Sequence, residues 1–117
     1  QELSESERKI YYESALKALQ IEYEMSLDQS LQDPDQAFKQ FLVQKGITQD
    51  QLEDIISRGN QMPLSDRERE LSAELKEQIN DELSPDQIMD ILEGLAVKYN
   101  FSLGQVSSIF TRAIAEK

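Results

Sequence analysis

The residues best equipped for chemistry in this chain are carboxylates, since Asp and Glu together number 23 and the sequence holds neither Cys nor His. Without those two residue types, thiolate and imidazole metal sites, Cys nucleophiles and Ser–His catalysis are excluded. One short segment brings Asp28, Asp33 and Asp35 together, and carboxylate oxygens are the ligands that Ca²⁺ and Mg²⁺ prefer. The segment lacks the glycine and the closing glutamate of an EF-hand. We therefore interpret it as a turn with a helix cap at Asp33, and we predict no metal, cofactor or catalytic site.

A second set of carboxylates follows a helical spacing. Four acidic residues at intervals of three or four positions fall on one side of a predicted helix over residues 66–83: Glu70, Glu74, Glu77 and Asp81. In the simplest interpretation they form a solvated helix face with some i,i+4 ion pairs. The functional alternative is a recognition surface for a protein partner with a basic surface. A further alternative is an acidic nucleic-acid mimic that inhibits a basic protein, its carboxylates standing in for phosphates.

The overall charge favours a protein partner over nucleic acid. The net charge is −11 and the pI is near 4.3, so the surface repels phosphate backbones and anionic membranes. No apolar run approaches the roughly 18–20 residues of a membrane span. The absence of Cys fits a reducing compartment, and we expect a cytoplasmic location. The sequence thus predicts a small acidic protein–protein interaction module, such as an adaptor, regulator or assembly subunit, without catalytic activity.

Capping signals and apolar periodicity predict an all-α fold. Six pairs place Ser, Thr or Asp three residues before Glu or Gln, which is the pattern of a helix-start capping box: Ser4/Glu7, Asp33/Gln36, Thr48/Gln51, Ser65/Glu68, Ser84/Gln87 and Ser102/Gln105. With the apolar spacing they predict six helices and no strands, over residues 5–31, 34–45, 49–58, 66–83, 85–99 and 103–116. We expect Gly46 and Gly59 to end the second and third helices.

The first helix has more than one apolar face. Its predicted core stripe is formed by residues four or so apart: Tyr12, Leu16, Leu19, Tyr23 and Leu27. Tyr11 lies on a second, shallower apolar face. Because a helix that is apolar on two sides often pairs with another chain, the sequence raises a homodimer through this helix as a hypothesis.

An internal repeat organises the chain. Residues 37–58 align without a gap with residues 91–112, at an offset of 54. The pattern of each copy predicts a helix, a turn residue suited to a left-handed conformation, one apolar residue, a helix cap and a second helix. The repeat predicts two similar helical-hairpin halves packed into one small bundle-like domain over residues 1–117. The possible sub-halves are residues 1–59 and 65–117, joined by a linker at 60–64.

The second hairpin, residues 88–113, resembles a degenerate helix-turn-helix. Ala96 stands where that motif wants a small residue and Asn100 where it wants glycine. Leu42 occupies the equivalent place in the first copy, so its helices must sit further apart or cross at another angle. In a DNA-binding regulator, the alternative function, the reading residues would be Gln105, Ser108, Thr111 and Arg112. Residues 84–117 hold three basic residues against four acidic ones, which is few for phosphate contacts. We therefore favour a protein partner.

Overall fold

The computed structural model describes residues 2–27 and 33–116, and across these two ranges it contains helices and no strand. The prediction of an all-α fold with six helices is confirmed. The helices are α1 (Glu5–Leu27), α2 (Pro34–Lys45), α3 (Gln49–Gln61), α4 (Asp66–Gln78), α5 (Pro85–Tyr99) and α6 (Leu103–Glu116). The bounds of α2, α5 and α6 agree with those predicted, while the part of the first predicted helix after Leu27 lies outside the described residues. The chain divides into two compact units, Gln1–Met62 and Pro63–Lys117.

In the first unit, α1 packs against α2 and α3, but through a different face from the predicted one. Its buried residues are Tyr11, Ser14 and Ile21, whereas Tyr12 is only half-buried and Leu27 is exposed. The sequence pattern missed this face because Ser14 is polar. The Ser14 hydroxyl donates to the Tyr11 carbonyl oxygen at 2.9 Å, so this buried polar group has a hydrogen-bond partner inside the core. We raised a homodimer because Tyr11 was placed on a second apolar face of this helix, but Tyr11 is buried within the unit. The homodimer stays an untested prediction.

The sequence predicted that Gly59 ends α3. In the structure Gly59 lies inside this helix and is buried. The ring of Tyr11 packs directly on it, and a Cβ atom added at this position would stand 2.5 Å from Tyr11 Cε1. The Tyr11 hydroxyl donates to Asn60 Oδ1 at 2.7 Å, which fixes the ring in place. The glycine therefore serves the close approach of α1 and α3, and the helix runs on to Gln61.

In the second unit, α4, α5 and α6 pack against one another around apolar side chains that are almost fully buried: Leu71, Leu75, Leu92, Val106 and Ile109. The α4 helix ends at Gln78, five residues before the predicted end. Ile79 adopts an extended conformation, and the Asn80 side chain accepts a hydrogen bond from the Glu82 backbone N–H at 2.9 Å. Asn and Asp side chains compete with the helix for backbone groups, and here that local bond prevails over the apolar spacing.

The two hairpin turns have the same geometry. Gly46 and Asn100 adopt left-handed conformations, with φ of 69° and 59°. The N–H groups of the next residues, Ile47 and Phe101, donate across the turn to the carbonyls of Leu42 and Ala96, the long bond of a Schellman motif. The hydroxyls of the caps Thr48 and Ser102 then each accept a hydrogen bond from the N–H three residues on. The sequence repeat is thus a repeat of hydrogen-bonded turns.

The hairpins differ in how closely their helices approach. The backbones of α5 and α6 lie close together over several residues, whereas those of α2 and α3 do so at few positions. Leu42 is buried in the first unit and Ala96 is half-buried in the second, and a tight crossing at Ala96 stays a prediction. None of the helices in the described part of the chain has the length and apolarity needed to cross a membrane.

Candidate functional site

The four acidic residues that the sequence singled out do not share one exposed helix face. Glu70 and Glu77 are exposed on α4 and lie two turns apart, about 10 Å along the axis. Asp81 is also exposed, but it follows the end of the helix, so its placement on the same helix was wrong. Glu74 is only partly exposed and its carboxylate is bonded within the unit.

Glu74 joins α4 to the end of α5. Its Oε1 accepts hydrogen bonds from Lys98 Nζ at 2.5 Å and from the Tyr99 hydroxyl at 2.7 Å. The Lys98 ammonium, and secondly the Tyr99 hydroxyl, lower the pKa of Glu74 below its ordinary value. The same bond to Glu74 raises the pKa of Tyr99 to about 12. Glu74 therefore links α4 to α5, and its Oε1 is occupied within the unit.

Arg67 completes this connection between α4 and α5. Its Nη2 donates to the Tyr99 carbonyl oxygen at 2.6 Å, which satisfies one of the carbonyls left open at the end of α5. Its guanidinium lies over the rings of Tyr99 and Phe101, with centroid distances of 5.8 and 5.5 Å. Nothing in the local sequence indicated this cluster, because its members come from two helices and a turn that meet only in the fold.

The carboxylates of Glu70, Glu77 and Asp81 are different, since no ion pair to them occurs among the described residues. Other acids of α4 are engaged: Asp66 pairs with Arg69, and Glu68 forms a capping box with Ser65. We call the three exposed carboxylates of Glu70, Glu77 and Asp81 the acidic surface. All three residues are exposed, and Glu70 shares a shallow pocket with Arg67 and Lys98.

An apolar cavity lies beside Asp81, at the end of α4. It has a volume of about 370 Å³, and Asp81 and Asn80 contribute its polar lining. Its apolar walls come from the turn after α4, from α5 and from α6: Ile79, Leu83, Ile88, Phe110 and Ile114. Nothing in the sequence indicated this cavity, because the apolar spacing predicted that α4 continues to residue 83.

The residues proposed to read DNA do not form an exposed row on α6. Ser108 is 3% exposed, and its hydroxyl donates to the Gln105 carbonyl oxygen at 2.7 Å, so it cannot reach a base. The Gln105 side chain donates to Glu68 Oε2, and the hydroxyl of the exposed Thr111 donates to the Ser107 carbonyl oxygen. Arg112 is half-buried. The expectation for Ser108 failed because small serines pack well against neighbouring helices, which a polar residue type does not reveal.

The structure also bears on the aspartates considered as metal ligands. Asp33 caps α2, and its Oδ1 accepts a hydrogen bond from the Asp35 N–H at 3.1 Å, which confirms the interpretation as a cap. Asp28 lies outside the described residues. In the ranges that the structure covers, no group of three or more Asp or Glu residues is arranged to hold a metal ion.

Comparison of the chain with protein-family models, with curated proteins and with solved structures finds no match. No relative therefore supplies a function. The second unit presents the acidic surface and, where Asp81 lies, the apolar cavity.

Proposed function

We propose that this chain is a small protein–protein interaction module, acting as an adaptor, regulator or assembly subunit, and that it binds a basic surface of its partner through the acidic surface. One observation carries the proposal. Glu70, Glu77 and Asp81 are exposed without an ion pair among the described residues, although Arg69, Lys98 and Arg67 nearby are engaged with other groups.

Electrostatics supports a basic partner. The net charge of −11 attracts a cationic protein over distances up to the Debye length, about 8 Å at physiological salt. Exposed charges of this kind raise association rates and select against wrong partners more than they raise affinity.

The proposal assigns no catalytic role to these carboxylates. It also revises the set named from the sequence, because Glu74 is bonded to Lys98 and Tyr99 and is left out of the binding surface. A cytoplasmic location belongs to the proposal and is supported by the absence of Cys, which suits a reducing compartment.

The test compares two variants of equal charge. The acidic-surface variant changes Glu70 and Glu77 to Gln and Asp81 to Asn. The control variant carries the same number of neutralised acids at exposed positions of the first unit: Glu22→Gln, Glu24→Gln and Glu53→Gln.

Wild type and both variants are immobilised, incubated with host lysate at low salt, and the retained proteins are identified by mass spectrometry. We expect a basic protein on wild type and on the control, released by salt, and lost from the acidic-surface variant. Equal retention by all three chains would show that overall charge, and not this surface, binds the partner, and the proposal would fail.

A further inference from the structure

We propose that the apolar cavity beside Asp81 receives a bulky apolar side chain from a cationic amphipathic helix of the partner. The inference rests on the proposed function, which supplies the basic partner, and it adds what that partner must carry. The partner's helix would carry an aliphatic or aromatic anchor, with Lys or Arg residues one helical turn to either side of the anchor.

The cavity has the size and lining for such an anchor. Its volume of about 370 Å³ exceeds the roughly 150 Å³ of an engineered protein cavity that holds benzene. Phe110 and Ile79 are buried at its base, and Leu83 and Ile88 are half-buried around it. Ile114 is 52% exposed at its edge, so an entering side chain would cover apolar surface that water now contacts.

The charges around the cavity specify the flanks of the anchor. Asp81 lines the opening, and among the described residues that line the cavity there is no Lys or Arg. Close to the wall residues along the chain, the exposed acids Glu77, Glu82 and Asp86 stand with two bases, Lys76 and Arg112, so negative charge is in excess. A Lys one turn away from the anchor on the same helix can face this excess.

The same charges argue against a second copy of this chain as the occupant. Each copy has a net charge of −11, so two copies would bring like charges together at the rim. A helix is the favoured form of the occupant because it places an apolar anchor and charged residues at i±3 and i±4 on one side, as in other helix-in-groove complexes.

The test uses two synthetic 18-residue peptides of equal charge. Both are helices with Lys on one face and Ala on the opposite face, and the first peptide carries a single Leu in place of the central Ala, so that only the size of the anchor differs. Binding is measured by isothermal titration calorimetry and by amide chemical shifts of the ¹⁵N-labelled chain. The variants are Ile114→Ala at the cavity edge and Val97→Ala at a position that is 84% exposed elsewhere on the second unit.

We expect the Leu peptide to bind at least tenfold more tightly than the Ala peptide, because one buried Leu side chain contributes that much. Ile114→Ala should weaken its binding about fivefold, while Val97→Ala changes it less than twofold. The largest shifts should fall on Ile79, Leu83 and Ile88. These shifts support the inference independently of any variant.

Three results would count against it. If both peptides bind alike and the acidic-surface variant weakens both, recognition is purely ionic, so the cavity inference fails and the proposed function survives. If Val97→Ala weakens binding as much as Ile114→Ala, the peptide contacts another face and the inference fails. If the acidic-surface variant binds both peptides as wild type does, the proposed function itself fails.

Discussion

Replacing Gly59 with Ala tests the contact that joins α1 to α3. The added Cβ would lie 2.5, 2.6 and 2.8 Å from Cε1, Cδ1 and Cζ of Tyr11, well inside van der Waals contact. The ring cannot swing away freely, because Tyr11 is 4% exposed and its hydroxyl is bonded to Asn60. Either the two helices separate slightly or the ring moves and loses that bond.

The expected change is the difference between two effects of opposite sign. Ala in place of a helical Gly gains about 1 kcal/mol of helix propensity. Overpacking a well-filled contact costs about 1–3 kcal/mol, and loss of the Tyr11–Asn60 hydrogen bond costs about 1 kcal/mol more. We therefore expect Gly59→Ala to lower the free energy of unfolding by about 1–3 kcal/mol.

The measurement is urea unfolding followed by far-UV circular dichroism. Gly94→Ala is the matched control, since Gly94 is also inside a helix and a Cβ there meets nothing within 4 Å. Gly94→Ala should raise the free energy of unfolding by up to about 1 kcal/mol. If Gly59→Ala stabilised the chain as Gly94→Ala does, the ring of Tyr11 would not pack on Gly59, and our account of the α1–α3 contact would be refuted.

Three further predictions concern acid stability, helix crossing and the second hairpin turn. Bonding to Arg58 lowers the pKa of Glu7 from 4.5 to about 2, so the stability it contributes is present above pH 4.5 and is lost as the pH falls toward 2. In acid titrations, the free energy of unfolding of Glu7→Gln should fall less than that of wild type over this pH range, whereas that of Glu53→Gln should fall as much as that of wild type. Ala96→Leu should lower the urea midpoint by overpacking the α5–α6 crossing at a cost of about 1–3 kcal/mol, and Ala115→Leu, exposed near the end of α6, should leave it unchanged. At the left-handed position 100, Asn100→Gly should preserve thermal stability, while Asn100→Ala should reduce it by about 1 kcal/mol.

The starts of the helices were the most predictable part of the fold. Capping bonds join residues three apart, so the sequence contains all that is needed to form them. Complete boxes occur at Thr48, Ser65 and Ser84, and Ser4 exchanges both bonds with Glu7. At Ser102 only half of the box forms, because the side chain of Gln105 turns to Glu68. Asp33 caps α2 by accepting from the Asp35 N–H, and the predicted box with Gln36 does not form.

The early end of α4 has a local cause, the bond to Asn80, but other errors arose where a distant residue decides the outcome. Gly59 lies inside its helix and leaves room for the ring of Tyr11, which is far away in sequence. Ser108 is buried where α6 packs, and the Glu74 carboxylate is bonded by Lys98 and Tyr99, which reach it from α5. For the candidate site, the sequence identified the acidic residues but could not separate those that bond within the unit from those that face solvent.

The order of the helices in each unit has a consequence for synthesis on the ribosome. In both units a single helix comes first, and the hairpin that covers it follows. After the synthesis of Leu27, α2 can cover part of α1 once Lys45 is made, but the side of α1 that contacts α3 stays uncovered until α3 is complete at Gln61. At about 5–20 residues per second this lasts a few seconds, whereas helices and hairpins form in microseconds. During that interval the nascent chain exposes Tyr11 and Ile21, which is when a chaperone would have its best access to them.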